Sequence, residues 1–530
     1  MLISVKTCCP RILLVVLFVP VILSSLLRPE WLVGTNFGVA GINASYDYLV
    51  LGGGTAGLTI ATRLAQSGSF SVAVVEAGGF HELEGGNVTQ IPAFWSRGTQ
   101  QTTTKGVNPL TDWLFNTTPQ PGANGRVFHY ARGKCLGGSS ARNTLAYQRA
   151  TVGSMEKRAE QVGDNSYFWE NVLLYYMRSV HFTPPNNRTI PANATVGYDD
   201  SAFDADGGPL QVSYPNYLAS ISEYGRAAFN ELGLPGLSQG FQSGELIGHQ
   251  YGEATIDPMD ETRSSSESSF LRLALQETNL IVHTHTLAKR ILFDDQKRAT
   301  GALVKAGGVT FQLIATEEVI VSCGAFQSPQ LLMVSGVGPT EALQKYGIPI
   351  VADRPGVGQD LQDHVIYGPS HVVNLQTAAI IENPEYEEDI INEYLVNKTG
   401  PLTNTGTDYN GYDKISTPAG SNISAATMQA LSIFPADWPE AEWLVGSTYL
   451  GLGLGPPDNK NYASVLPALL ALLSTGNVTI ASSDTSDPPV INPQWLTNPA
   501  DQEIAVAAFK RARAMFATEA MRPVLIGDEV

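Results

Sequence analysis

The sequence predicts an α/β fold built on a doubly wound, Rossmann-type domain, with chain to spare for a second domain. Two observations carry this. Tyr46–Gly79 reads as strand, glycine loop, helix, strand and acid within one βαβ unit. The chain has 530 residues, 43% hydrophobic and only 15% charged, which is ample for a large core and too long for one simple domain.

Each part of the βαβ unit has a physical job. Tyr48–Leu51 is a buried-strand run, and Gly52-Gly53-Gly54-Thr55-Ala56-Gly57 follows at once as G-x-G-x-x-G. Gly52 allows the tight turn into the helix, Gly54 lets backbone touch a pyrophosphate, and Gly57 lets helix and strand pack closely. The helix Leu58–Gln66, closed by Gly68, would aim free N–H groups and a favourable dipole at phosphates. The second strand, Val72–Val75, ends at Glu76, nineteen positions after Gly57, where a carboxylate accepts hydrogen bonds from an adenosine ribose. The motif points to an adenine dinucleotide and leaves NAD and FAD open.

The rest of the chain gives weaker signals. Residues 80–128 are loop-like, with Trp113 and Phe115 ordered by a ligand or by the core. Arg132–Tyr147 has glycines and serines between cationic side chains, which suits backbone passing close to a flat polar ligand and equally suits a surface turn. Val162–His181 reads as a helix packing Trp169, Val172, Leu173, Tyr176 and Val180 into the core, and Tyr217–Leu232 as another. Leu280–Leu287 alternates as one strand, with His283 and His285 on one face; no third ligand is apparent, so no metal site is predicted. Ser328 would cap a helix with Pro329 at its first position, ended by Gly336, and a second short helix spans 340–346. Strands are expected at 477–480 and 490–491, and a helix at 501–518.

A net charge of −18 repels nucleic acid and anionic lipid and excludes polyanion binding as the main function. Residues 1–28 hold Lys6, Arg11 and an apolar run from Ile12 to Leu27, a cleaved secretory signal or an uncleaved anchor. A membrane association is expected only in the second case. Asn43, Asn87, Asn116, Asn187, Asn193, Asn397, Asn422 and Asn477 each begin N-x-S/T, which agrees with passage through the secretory pathway, to the outside or to a vesicle or vacuole, with N-glycosylation. Outside the leader, Cys135 and Cys323 read as small buried hydrophobes, with a bridge between them left open.

Four stretches together resemble the glucose–methanol–choline (GMC) flavoprotein oxidoreductases. RGKCLGGSSARN is similar to that family's first signature and GAFQSPQLLMVSGVGP to its second; GGGTAG and PGVGQDLQDH are similar too. The likeness covers Tyr46 to about His364 and resumes at 476–530. Phe434–Pro439 resembles fungal members near the aryl-alcohol oxidases and the patulin- and versicolorin-B-synthase-like enzymes.

The resemblance implies an FAD-binding doubly wound domain with a second α+β substrate domain carrying an antiparallel sheet. The divisions would be 1–28 leader, 45–364 FAD-binding region with insertions, 365–473 substrate domain and 474–530 partial C-terminal region. It implies non-covalent FAD held by Gly52, Gly54, Thr55, Ala56, Gly57, Glu76, Ala77, Trp113, Gly138, Ser139, Asn143, Thr144, Leu145, Ala146 and Leu287. Thr55 and Ala56 would approach the pyrophosphate and Glu76 the ribose. Ser139 and Asn143–Ala146 would follow the flavin, and the Leu287 backbone the adenine. Where some members attach FAD through a histidine, this chain has Tyr130, with His129 one position off. The implied reaction oxidises the CH–OH group of a small alcohol in fungal secondary metabolism, with oxygen or a quinone as acceptor. The family's base is a C-terminal histidine, and none of the 8 histidines lies in a matching context, so no catalytic residue is carried over. Three readings follow: an alcohol oxidase or dehydrogenase lacking its C-terminal catalytic segment in this sequence, an FAD-binding protein without turnover, or a non-redox cyclase of the versicolorin B synthase type. Trp438, Trp443 and Tyr449 would line the substrate pocket or serve as core aromatics.

Overall fold

The computed structural model describes residues 36–99, 106–416, 423–449, 458 and 460–530; the leader and the Asn422 sequon lie outside them. Strand β1 (Ala44–Leu51) is the centre of the first sheet. It runs parallel to β2 (Val72–Val75) on one side, and helix α1 (Thr55–Gln66) joins the two. The sheet continues through β3 (Ile281–His283), β4 (Thr286–Phe293), β5 (Ala299–Ala306) and β6 (Val309–Val321), in the order β3-β2-β1-β6-β5-β4. β3, β2, β1 and β6 are parallel, and β5 and β4 extend the sheet as antiparallel strands. β1 and β2 are apolar runs because both faces of the sheet are covered. On one face Val50, Val72 and Val74 pack against Leu58, Ala61 and Ala65 of α1. On the other, Leu49, Leu51, Ala73 and Val75 meet Leu331, Met333 and Val334 of helix α2 (Gly324–Val334).

The second sheet is antiparallel, as expected, and draws on distant parts of the chain. Its order is Leu525–Glu529, Ser370–Val373, Tyr462–Leu469, Ala441–Gly446, Tyr409–Asp413 and Gly248–Tyr251, with Val365–Ile366 also paired to 462–469. Helices Ser220–Glu231 and Pro499–Phe516 contribute Ile221, Ala228, Phe229, Ile504, Ala508 and Met515 to the core beneath it. Trp443 is fully buried in that core, Trp438 packs against it and Tyr449 lies tilted against Tyr462 with ring centroids 5.1 Å apart, so these are core and sheet aromatics.

Several local expectations fail. Residues 162–181 are not one core helix: a helix spans Trp169–Ser179, none of its residues is buried, and Leu174 and Tyr175 are exposed. A helix at Val152–Val162, capped by Thr151, precedes it; only Met155 and Ala159 are buried, too few to mark an apolar stripe in the sequence. Helix α2 begins at Gly324, whose φ of +82° turns the chain four residues before Ser328, so Pro329 lies inside the helix. The run 280–287 breaks at His285, which has φ +50° and joins β3 to β4. His283 is therefore buried against Tyr46, while His285 is exposed beside Glu84. They share no face.

Candidate cofactor and active site

Register brings Leu51, Val75 and Val321 side by side, so β1, β2 and β6 end together. A cavity of about 500 Å³ opens at these carboxyl ends, where open α/β sheets bind ligands. Its floor is the glycine loop. A Cβ on Gly57 would lie 2.0 Å from the Gly52 carbonyl oxygen, so α1 starts hard against the strand end. Gly54 faces Gly138 across the floor, and a Cβ on Gly138 would come within 2.7 Å of the Gly54 Cα. No side chain caps α1, so its first N–H groups are left for a ligand beside Thr55 and Ala56.

The first signature docks on this floor by backbone bonds. Gly137 N–H donates to Gly53 O at 2.9 Å, and Leu136 N–H to Gly79 O at 2.8 Å. Gly133, Gly138 and Ser139 line the cavity with Arg132, whose guanidinium lies over the Tyr130 and Phe326 rings. Trp113 stacks on Phe115 with ring planes 2° apart. The second signature closes another side with Ser322, Cys323, Gly324, Ala325, Phe326, Gln327 and Ser328, while Thr286, Leu287 and Ala288 of β4 face Glu76 and Ala77. Glu76 Oε2 accepts from Gly53 N at 2.9 Å, and Oε1 from Gly78 N at 3.0 Å. Burial nevertheless pushes its carboxyl up to about 7, against those bonds.

The structure brings together, around one cavity, Gly52, Gly54, Thr55, Ala56, Glu76, Ala77, Trp113, Gly138, Ser139 and Leu287 of the expected set. Gly57 lies beneath, as a packing residue. Asn143, Thr144, Leu145 and Ala146 do not line it; they continue the Ser139 loop, with Asn143, Thr144 and Ala146 exposed and Leu145 buried at φ +65°. The second-signature wall and Thr485 were not expected as lining residues. The glycine and serine content of 322–328 was the available signal.

Neither ring near the possible attachment position is free in the cavity. His129 is buried on Asp112 at 3.2 Å, and Tyr130 donates its hydroxyl to Asp363. Cys135 and Cys323 are both free thiols, not a bridge, and Cys323 is only partly buried. One further cluster, His81, Glu82 and Glu267, holds its donor atoms within 4.8 Å of one another. There Arg272 supplies the cation, 2.5 Å from Glu82 and 3.5 Å from Glu267.

These residues fit an adenine dinucleotide: an uncapped helix start, a glycine floor that side chains would fill, and a buried carboxylate at the second strand's end. The GMC oxidoreductase N-terminal family model matches residues 46–366, and the C-terminal model matches 473–529. The expected loss of the C-terminal segment is thus not supported, since that region of the family is present. Patulin synthase of Aspergillus clavatus is 50% identical over 507 residues, 94% of this chain and 80% of that protein. Versicolorin B synthase of Aspergillus parasiticus is 44% identical over 513 residues, 95% of this chain and 78% of that protein. Among solved structures, an FAD-dependent oxidoreductase from Chaetomium thermophilum superposes with a TM-score of 0.77 at 25% identity, over 91% of this chain and 83% of that one. Formate oxidase of Aspergillus oryzae shares the fold at a TM-score of 0.79 and 24% identity, over 92% of this chain and 84% of that one. The chain belongs to the GMC oxidoreductase family and is an FAD-dependent alcohol oxidoreductase of its fungal branch.

Proposed function

We propose that this protein holds FAD without a covalent bond in the cavity at the ends of β1, β2 and β6 and oxidises a small-molecule alcohol of fungal secondary metabolism. The observation that carries the reading is the meeting of the glycine loop and both signature segments around one cavity. Thr55, Ala56 and the α1 start would hold the pyrophosphate, Glu76 the adenosine ribose and the Leu287 backbone the adenine. Gly138, Ser139 and the exposed Asn143–Ala146 loop would follow the flavin. Bound FAD supplies the acceptor for the hydride of the carbinol carbon. The protein's own part is to orient the alcohol, take its hydroxyl proton and keep water away. The substrate would enter between the cavity and the antiparallel sheet, and oxygen or a quinone would reoxidise the cofactor.

The engagement of His129 with Asp112 and of Tyr130 with Asp363 supports a non-covalent flavin. The domain division at 364 and 473 is kept, with Gly248–Tyr251 and Leu525–Glu529 as contributions to the substrate sheet from outside it. Secretion with N-glycans is supported by exposed sequons at Asn43, Asn116, Asn187, Asn193 and Asn397, whereas Asn87 and Asn477 are half-buried. A mass shift on enzymatic deglycosylation tests this.

The likeness to versicolorin B synthase motivates a second reading, ring closure with loss of water. The deciding experiment is an anaerobic visible spectrum before and after aryl and polyketide alcohols, with product analysis. Flavin bleaching with an aldehyde or ketone product supports the oxidase. A dehydrated product at unchanged oxidation state supports the cyclase, and a colourless protein that takes up no FAD sinks both.

A further inference from the structure

The loop that carries Asn143–Ala146 leaves the cavity wall at Ser139, whose carbonyl accepts from the backbone N–H of Arg142 at 3.1 Å and of Asn143 at 2.9 Å. Its shape is not one that the local sequence favours. Leu145 has φ +65°, a left-handed conformation that is unfavourable for a non-glycine residue. Something outside the loop must hold it.

Arg263 does. Its side chain is buried and closes a fork on the loop from behind. Nη1 donates to the Ser140 carbonyl at 3.1 Å and to Asn143 Oδ1 at 2.6 Å; Nη2 donates to the Asn143 carbonyl at 2.8 Å. Nε ties the same guanidinium to the Thr89 carbonyl at 2.9 Å. Residues on either side of it complete the clamp: Ser266 N–H donates to Ser140 Oγ at 3.1 Å, and Thr255 N–H to the Leu145 carbonyl at 2.8 Å. All the acceptors of Arg263 itself are carbonyls or an amide oxygen. Among the described residues no carboxylate ion-pairs with Arg263, and burial with the neighbouring Arg142 pushes its pKa down to about 9. A buried guanidinium without a counter-ion is costly. A lysine would carry the charge, but only the planar arginine fork reaches three acceptors on one loop at once. The outer face of the loop, at Asn143, Thr144 and Ala146, stays open while Arg263 fills the inner face.

We propose that Arg263 is a positioning residue for the flavin half of the cofactor: it holds the Asn143–Ala146 loop in the conformation against which the isoalloxazine packs, and it is not needed for the adenosine half. This rests on the FAD reading of the cavity. The adenosine half has its own wall at α1, Glu76 and Leu287, which Arg263 does not touch.

The test is the ratio of FAD to ADP affinity, measured by calorimetric titration of the full chain stripped of cofactor. ADP probes the adenosine and pyrophosphate wall alone. R263Q is expected to weaken FAD binding about tenfold or more and to leave ADP binding within about twofold. R263K keeps the charge and loses the fork, so the ratio should fall by a smaller factor, about threefold. An unchanged ratio, whether both ligands weaken or neither does, overturns the proposal, because a general loss of structure moves both alike. If R263Q does not fold, R263K decides on the same criterion. The FAD reading fails separately: a wild-type chain that binds ADP and FAD equally, or neither, removes it whatever the variants do.

Discussion

At the cavity the chain presents backbone, and under the antiparallel sheet it presents side chains. Gly52, Gly54 and Gly138 bring main chain within reach of a ligand, Gly57 lets the helix pack beneath them, and the walls dock through amide-to-carbonyl bonds. Under the sheet, buried ionisable side chains set in an apolar core take hydrogen-bond partners from other elements. Asp408 accepts from Ser222 at 2.6 Å and from Ala219 N at 2.8 Å. His249 shares a hydrogen with Tyr409 at 2.6 Å, and Tyr251 donates to Glu223 at 2.8 Å. A backbone site needs residue types at fixed spacing, because only glycine fits, and such a site is written locally. A paired core needs partners across long sequence distances, 186 positions for Ser222 and Asp408, and leaves no local pattern.

The sharpest break of this contrast is Gly57→Ala. Its Cβ would sit 2.0 Å from the Gly52 carbonyl and 2.6 Å from Ser322 Oγ, so α1 must move off the strand end. We expect the purified variant to be colourless, with FAD affinity down by about a hundredfold or more in titration. A variant that retains flavin near the wild-type level would mean the helix start does not set the site. The counterpart in the other region is Trp443→Ala. Removing this fully buried side chain should cost about 3–5 kcal/mol in reversible unfolding while FAD affinity stays within about threefold. Trp443→Phe should cost much less, because the indole Nε1 is buried with no hydrogen-bond partner among the described residues and its loss leaves nothing unpaired there.

The same contrast explains what the sequence disclosed. The β1–α1–β2 unit, the acid at Glu76 and the two signature loops are local patterns, and ten of the fifteen expected cofactor residues do line the cavity. Arg263 passed unnoticed, because its partners are Thr89, Ser140 and Asn143, and an arginine before a serine run says nothing until they are packed together. His283 and His285 looked paired, because alternation cannot show that residue 285 turns at φ +50°. The run 162–181 looked like core because its apolar residues do form a stripe, but Trp169, Val172, Leu173 and Tyr176 lie only half-buried, and Val180 alone of the stripe is buried.

A smaller effect comes from proton linkage at Glu76. Burial holds its carboxyl up to about 7, above its ordinary value of 4.5. Ribose hydroxyls donate, so they bind the ionised form, and below pH 7 binding must first expel a proton. FAD affinity should therefore rise with pH toward a plateau above 7, by up to about tenfold per unit on the acidic side. Glu76→Gln should flatten the profile and lie below wild type at pH 8. The unliganded fold moves the other way. Between pH 4.5 and 7 the folded chain keeps a proton that the unfolded chain releases, so this group's contribution to stability is full below 4.5 and is lost as pH rises through 7. A pH profile of FAD affinity with the same slope in Glu76→Gln would detach the carboxylate from the site.

The least consequence is expected where side chains pair in water. Arg513 meets Glu529 through two bonds of 2.6 and 2.7 Å, linking helix Pro499–Phe516 to the edge strand Leu525–Glu529. The geometry is as good as that of the buried pairs, yet the arginine is 57% exposed. Water solvates both partners in the unfolded chain nearly as well, and salt screens what attraction remains. Arg513→Ala should move the melting temperature by no more than about 2 °C at physiological salt. Asp408→Asn, which changes a buried acceptor of three hydrogen bonds under the same sheet, should move it several-fold further. Equal shifts for the two variants would show that burial does not rank these contacts, and the distinction between a backbone-built cavity and a side-chain-built core would lose its energetic half.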